Sequence, residues 1–207
     1  MTRVLLTAFG PYDRWQENSS WSSVVELTNW YDGEVELTTR RYPVDLTAMS
    51  DQLRRDLLGG FDFAIHLGQS PGTAIIKMES TGLNRRSGGE PLLADAPEAY
   101  RSPIEMQAIA ATLCEHGVPA EVSHHAGTYL CNAALYLSMH YCKQLGLGTH
   151  SLFVHLPVTP SEAARHVREK LPSMTPTLCS MAIALVVDEL VGGQVPPTAN
   201  EGMGQTA

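Results

Sequence analysis

The sequence predicts an α/β protein: a three-layer αβα sandwich, in one domain, with a mostly parallel central sheet. Two observations predict it. Short apolar runs of strand length alternate with amphipathic runs of helix length along the chain, and turn or cap residues sit at the junctions. Strands buried on both faces read as continuous apolar runs, which is what a parallel sheet covered by helices requires. The 207 residues suffice for one substantial core, and no repeat period or linker divides them.

Arg3 to Phe9 reads as a buried strand that Gly10-Pro11 breaks into a loop of aromatic and polar residues reaching Trp15 or beyond. Ser20 to Tyr31 is helix-like. Glu34 to Arg40 alternates, with Val35, Leu37 and Thr39 on one face. Asp45 is placed to cap a helix bearing Leu46, Met49, Leu53 and Leu57, which Gly59-Gly60 stops. Phe63 to Leu67 is a compact apolar strand ending in Gly68-Gln69, and Thr73 to Met78 is a second extended segment.

In Ser102-Pro103-Ile104-Glu105 a capping serine, a first-turn proline and a glutamate three residues beyond the cap predict a helix that Gly117 closes. Val118 to Ser123 reads as a strand, Asn132 to Leu145 as a helix and Ser151 to Leu156 as a buried strand. Pro160 to Lys170 and Pro176 to Val191 read as two further helices. The domain is thus expected over residues 1–191. Residues 192–207, rich in Gly, Pro, Thr, Gln and Asn, are expected to form a tail too polar to offset the entropy of ordering.

Composition narrows function. A formal net charge of −8 without any basic run argues against nucleic acid or anionic lipid as partner. The apolar opening Val4-Leu5-Leu6 is short for a secretory signal, and no stretch approaches the roughly 20 apolar residues of a membrane span, so a cytoplasmic location is expected. Cys114, Cys131, Cys142 and Cys179 contain no C-x-x-C pair and suit reduced thiols. The histidines show no ligand spacing, so no metal is expected.

Cys131 stands out because a short loop, His125 to Leu130, precedes it and an amphipathic stretch follows. A helix N-terminus there would favour a thiolate and offer backbone N–H groups to an oxyanion. A small buried core cysteine is the alternative reading, and local sequence leaves both open. His155 closes the apolar run Leu152 to Leu156 just before Pro157, where a ring nitrogen needs a partner and would face a site at the strand C-termini. Catalytic base and satisfied core histidine are both compatible with that position. Glu79, ending the extended stretch Ala74 to Met78, reads as a solvated carboxylate or as the group that orients a histidine; spacing does not choose.

Four blocks resemble the pyroglutamyl peptidases, the C15 family of cysteine peptidases. They are Val4 to Tyr12 with Asn18 to Trp21, Gly68-Gln69 with Glu79, Ala126 to Asn132, and Phe153 to Pro157. The resemblance implies Cys131 as nucleophile, His155 as base and then acid, and Glu79 as orienting carboxylate. It implies a pocket lined by Phe9, Tyr12, Gln69 and Tyr129, both tyrosines standing where the family often has phenylalanine. It further implies N-terminally pyroglutamylated peptides as substrates, a thioester intermediate, no cofactor, and assembly as a homodimer or homotetramer. A cysteine amidase with another N-terminal acyl specificity and a non-catalytic binding protein are the competing readings. The chain departs from the family after Glu79, where Ser80 to Glu90 is shorter than the family's polar stretch. Arg85 and Arg86 both stand as candidates for the arginine found there.

Overall fold

A computed structural model describes residues 1–193; of the tail expected over 192–207, Gly192 instead ends the last helix, and residues 194–207 lie outside the described residues. In chain order the elements are β1 (Thr2–Phe9), α1 (Ser19–Thr28), β2 (Val35–Tyr42), α2 (Leu46–Leu57), β3 (Phe63–Gln69), β4 (Ile76–Glu79), β5 (Thr81–Leu83) and β6 (Ala99–Arg101). They continue with α3 (Met106–Glu115), β7 (Ala120–Ser123), α4 (Leu130–Leu145), β8 (His150–Leu156), α5 (Pro160–Arg165), a 3-10 turn over Val167–Glu169, and α6 (Pro176–Gly192). Six strands form one sheet in the order β2-β1-β3-β8-β4-β7, parallel except where β4 meets β8.

Alternate residues of each strand feed two cores, as a two-residue side-chain period dictates. Val4, Leu6, Ala8, Ile65 and Leu67 pack under Val24 of α1, Ile109 of α3 and Ile183 of α6. Leu5, Phe9, Ala64 and Phe153 pack under Leu53 of α2 and Leu135 of α4. The expected α/β sandwich is therefore observed. Strand order reverses between β1 and β3, and the C-terminal ends of these strands, Phe9 and Gln69, flank the crevice where such sheets bind ligands.

Capping places most helices as read. Asp45 accepts from the Ala48 N–H (2.8 Å), and Thr175 accepts from the Leu178 N–H (3.2 Å) with Pro176 in the first turn. The helix expected from Ser102 starts instead at Met106, capped by Glu105. The reason is competition: the Ser102 N–H donates to the Ser80 carbonyl, extending the β5–β6 hairpin, so residue 102 belongs to the hairpin. The helix expected over Pro160 to Lys170 stops at Arg165 and tightens into the 3-10 turn, which Lys170 closes at φ 50°. The strand expected from Thr73 starts at Ile76. The segment 80–90, read as loop, begins with β5, which pairs antiparallel with β6.

Candidate active site

Side chains opposite one another in neighbouring strands share a face. On the face covered by α4, β3 presents His66 and Gly68, β8 presents Phe153 and His155, and β4 presents Lys77 and Glu79. His155 lies directly across from Lys77, and Glu79 is its diagonal neighbour. The antiparallel run of β4 against β8 makes this diagonal, and the Glu79 Oε1 lies 2.8 Å from His155 Nδ1. An ionised carboxylate only accepts, so Nδ1 donates, which leaves Nε2 for chemistry. Glu79 is 2% exposed and His155 8%, so the pair is shielded from water.

Cys131 reaches the same spot from above. Gly127, at φ 78°, turns the chain after β7, and its N–H donates to His125 Nδ1 (3.0 Å). Tyr129 is the N-cap of α4 without a side-chain cap bond, and the Ala133 N–H makes the first bond back to the Tyr129 carbonyl (3.0 Å). The N–H groups of Leu130, Cys131 and Asn132 precede that bond and point out of the helix end. Gly68 makes the approach possible. A Cβ there would stand 2.6 Å from Phe153 Cζ and 2.9 Å from Cys131 Sγ. The missing side chain is thus the space that sulfur and ring occupy, and the Phe153 ring packs on His155 with centroids 4.8 Å apart.

Electrostatics follow from this packing. Burial works to lower the His155 pKa, but hydrogen bonding and charge from Cys131 and Glu79 outweigh it and push the ring up to about 9. Both partners thus favour the charged form of the ring. Burial pushes the Tyr12 phenol up to about 12, the nearby Gln69 amide opposing it, so Tyr12 is neutral. Burial also raises the thiols of Cys142 and Cys179, the latter to about 12, and both lie in the core. Cys114 is exposed on α3.

The seven residues singled out by sequence, Phe9, Tyr12, Gln69, Glu79, Tyr129, Cys131 and His155, all line one cavity of about 690 Å³. Phe9 and Gln69 come from the ends of β1 and β3, Tyr12 from the loop after β1, and Tyr129, 75% exposed, from the rim. The Gln69 side-chain carbonyl accepts from the Ser19 N–H (2.9 Å), while its amide nitrogen, turned toward the Tyr12 hydroxyl, makes no hydrogen bond of ordinary geometry among the described residues. Among the described residues, no cluster of three or more His, Cys, Asp or Glu is arranged to hold a metal ion.

Residues 2–190 match the family of pyroglutamyl peptidases. The chain belongs to that family. A pyrrolidone-carboxylate peptidase of Pectobacterium atrosepticum is 32% identical over 94% of this chain and 95% of its own length. That of Clavibacter michiganensis is 35% identical over 79% of this chain and 82% of its own. The crystal structure of the pyrrolidone carboxyl peptidase from Fervidobacterium islandicum superposes with a TM-score of 0.87 at 32% identity, covering 93% of this chain and 99% of that one.

Within this pyroglutamyl peptidase family member, four further contributors escaped sequence reading. Lys77, paired with Glu121 (3.5 Å), lines the cavity because of a register that the sequence does not display. Asp13 and His125 line it from loops. Asn132 is the fourth: its amide oxygen accepts from the Leu83 N–H (2.8 Å), and its nitrogen donates to the carbonyls of Leu83 (2.9 Å) and Arg85 (2.8 Å). The segment after Glu79 is thereby pinned beside the nucleophile. Arg86 pairs with Glu90 (2.7 Å), and Arg85 lines a second cavity that shares His125 and Thr128 with the first. The signal for Asn132 was its adjacency to Cys131.

Proposed function

We propose that this chain removes an N-terminal pyroglutamyl residue from peptides through a thioester on Cys131. The observation that carries the proposal is the meeting of Cys131, His155 and Glu79, from three separate elements, at one cavity lined by aromatic rings. In this proposal Cys131 reacts as its thiolate once His155, held by Glu79, has taken up its proton. Its sulfur attacks the pyroglutamyl carbonyl carbon, and the C=O electron pair moves to oxygen, to which the N–H groups opening α4 donate.

Collapse of that intermediate expels the peptide amine, which takes its proton from His155. The neutral ring then draws a proton from water, whose oxygen displaces the thiolate and releases pyroglutamate. Phe9 and Tyr12 wall the flat lactam. The unpartnered Gln69 amide nitrogen finds its acceptor in the lactam carbonyl, a match that rejects rings lacking it by leaving a buried donor unpaired at a cost of about 1–3 kcal/mol. No step calls for a cofactor. The proposal includes a cytoplasmic setting; among the described residues no helix is long and apolar enough to cross a membrane. Assembly as a dimer or tetramer follows from the family resemblance and is read by light scattering.

The test is release of a fluorophore from pyroglutamyl, prolyl and acetyl amides by the wild-type chain and by Cys131→Ser. Turnover confined to the pyroglutamyl amide and lost in the variant is expected. Turnover of a different amide would assign another acyl specificity, and none at all would leave the cavity a binding site.

A further inference from the structure

The loop Gly10–Asn18, which carries Tyr12 and Asp13 to the cavity, has little to hold it from within. It closes on itself through Asn18 Nδ2, which donates to the Gly10 carbonyl (3.0 Å), and through a tight turn in which the Trp15 N–H donates to the Tyr12 carbonyl (2.9 Å). That turn places Asp13 at φ 48°, a left-handed conformation that aspartate adopts more readily than most residues with a Cβ. Where the loop lies is set by what it packs against.

The surroundings are α5 and the 3-10 turn after it. Trp15, 5% exposed, packs edge-on against His166 (centroids 4.8 Å apart). Arg14 lies over the Trp15 ring (4.7 Å) and forms a forked ion pair with Glu169 (2.6 and 2.7 Å). Beneath them sits Glu162, fully buried. Its Oε1 accepts from the Glu17 N–H (3.0 Å) and from Arg165 Nη1 (2.7 Å), while Oε2 has no hydrogen-bond partner among the described residues. Glu17 returns the contact, its carboxylate accepting from Ser161 Oγ (2.8 Å) and Arg165 (3.2 Å). A leucine would fill the buried face of α5 without the cost of desolvating a carboxylate. Only an acceptor there can hold the Glu17 N–H.

We propose that Glu162 is a positioning residue: by holding the Glu17 backbone against α5 it fixes the Gly10–Asn18 loop, and so sets Tyr12 as the wall of the acyl pocket. Because α5 follows directly on β8, the segment that delivers His155 also clamps the loop facing it. The strap acts on substrate fit and leaves the Cys131–His155 pair alone. The effect on catalysis rests on the pyroglutamyl reading, but the effect on the loop does not.

The experiment compares Glu162→Ala and Glu162→Gln with wild type by three readouts: KM and kcat on a pyroglutamyl amide, the rate of Cys131 alkylation by iodoacetamide, and hydrogen exchange of the Gly10–Asn18 amides. In Glu162→Ala, KM rises about tenfold with kcat within about threefold, alkylation is unchanged, and exchange in the loop accelerates. Glu162→Gln recovers part of both KM and exchange protection, since its amide oxygen still accepts from the Glu17 N–H. Unchanged KM and exchange, or a fall in alkylation matching the loss of turnover, would overturn the proposal. If Glu162→Ala fails to fold, Arg14→Ala at the exposed end of the strap must show the same pattern at about threefold. If wild type cleaves no pyroglutamyl amide, the functional reading fails while loop exchange still decides the strap.

Discussion

Replacing Glu79 by glutamine removes one negative charge while keeping the side-chain shape. The Glu79 Oε1 is 2.8 Å from His155 Nδ1, and both groups are shielded from solvent. At an effective dielectric of about 20 that separation corresponds to roughly 6 kcal/mol of attraction before burial is counted. What survives is the rise of His155 from 6.5 to about 9, a difference of about 3 kcal/mol shared between Glu79 and Cys131 against burial. Losing Glu79 should therefore lower the His155 pKa by at least about one unit. In the proposed mechanism the imidazolium donates the leaving-group proton, so its pKa sets the alkaline limb of kcat/KM. The assay is the pH dependence of kcat/KM on a pyroglutamyl amide. The wild-type limb is expected near 9 and the variant's near 8 or below, with the plateau about 10²-fold lower or more. An alkaline limb unmoved by Glu79→Gln would refute the reasoning, because the carboxylate would then not support the imidazolium.

Three other outcomes follow from the same geometry. Gly68→Ala inserts a methyl group 2.6 Å from the Phe153 ring and 2.9 Å from Cys131 Sγ, so kcat should fall by about 10²-fold through displacement of the sulfur, measured alongside thermal unfolding to separate the two effects. Asn132→Ala deletes three hydrogen bonds to Leu83 and Arg85, a loss of about 2–3 kcal/mol that calorimetry should show as a Tm drop of about 5–10 °C, with faster proteolysis between residues 84 and 96. Iodoacetamide at pH 7 should label Cys131 ahead of the exposed Cys114, while Cys142 and Cys179 stay unlabelled until the protein unfolds, as peptide mass mapping will show.

The sequence displayed most of the architecture because its signals were local. Apolar runs marked β1, β3 and β8, and Asp45 and Pro176 marked helix starts, Asp45 by a bond made three residues on. It misled where a distant partner competed. Ser102 offers a sound capping sequence, but its N–H serves the Ser80 carbonyl, and only the β5–β6 pairing reveals that. The candidate site divides in the same way. Cys131 was conspicuous from the loop and helix around it. Glu79 gains its place from an antiparallel register 76 residues away in sequence from His155, and nothing near it in the chain encodes that. Glu162 was invisible for a related reason: its partner is a backbone N–H contributed from 145 positions earlier.

The central claim is that Cys131 carries the pyroglutamyl group during turnover. The most direct measurement is acid quenching of the enzyme mixed with a pyroglutamyl ester or amide within the first turnover, followed by mass mapping of the peptides. The account predicts one pyroglutamyl adduct, on the peptide containing Cys131, absent from Cys131→Ser and lost with time as pyroglutamate appears. Turnover without an adduct on Cys131, or an adduct on another residue that forms and decays at the rate of turnover, would contradict it.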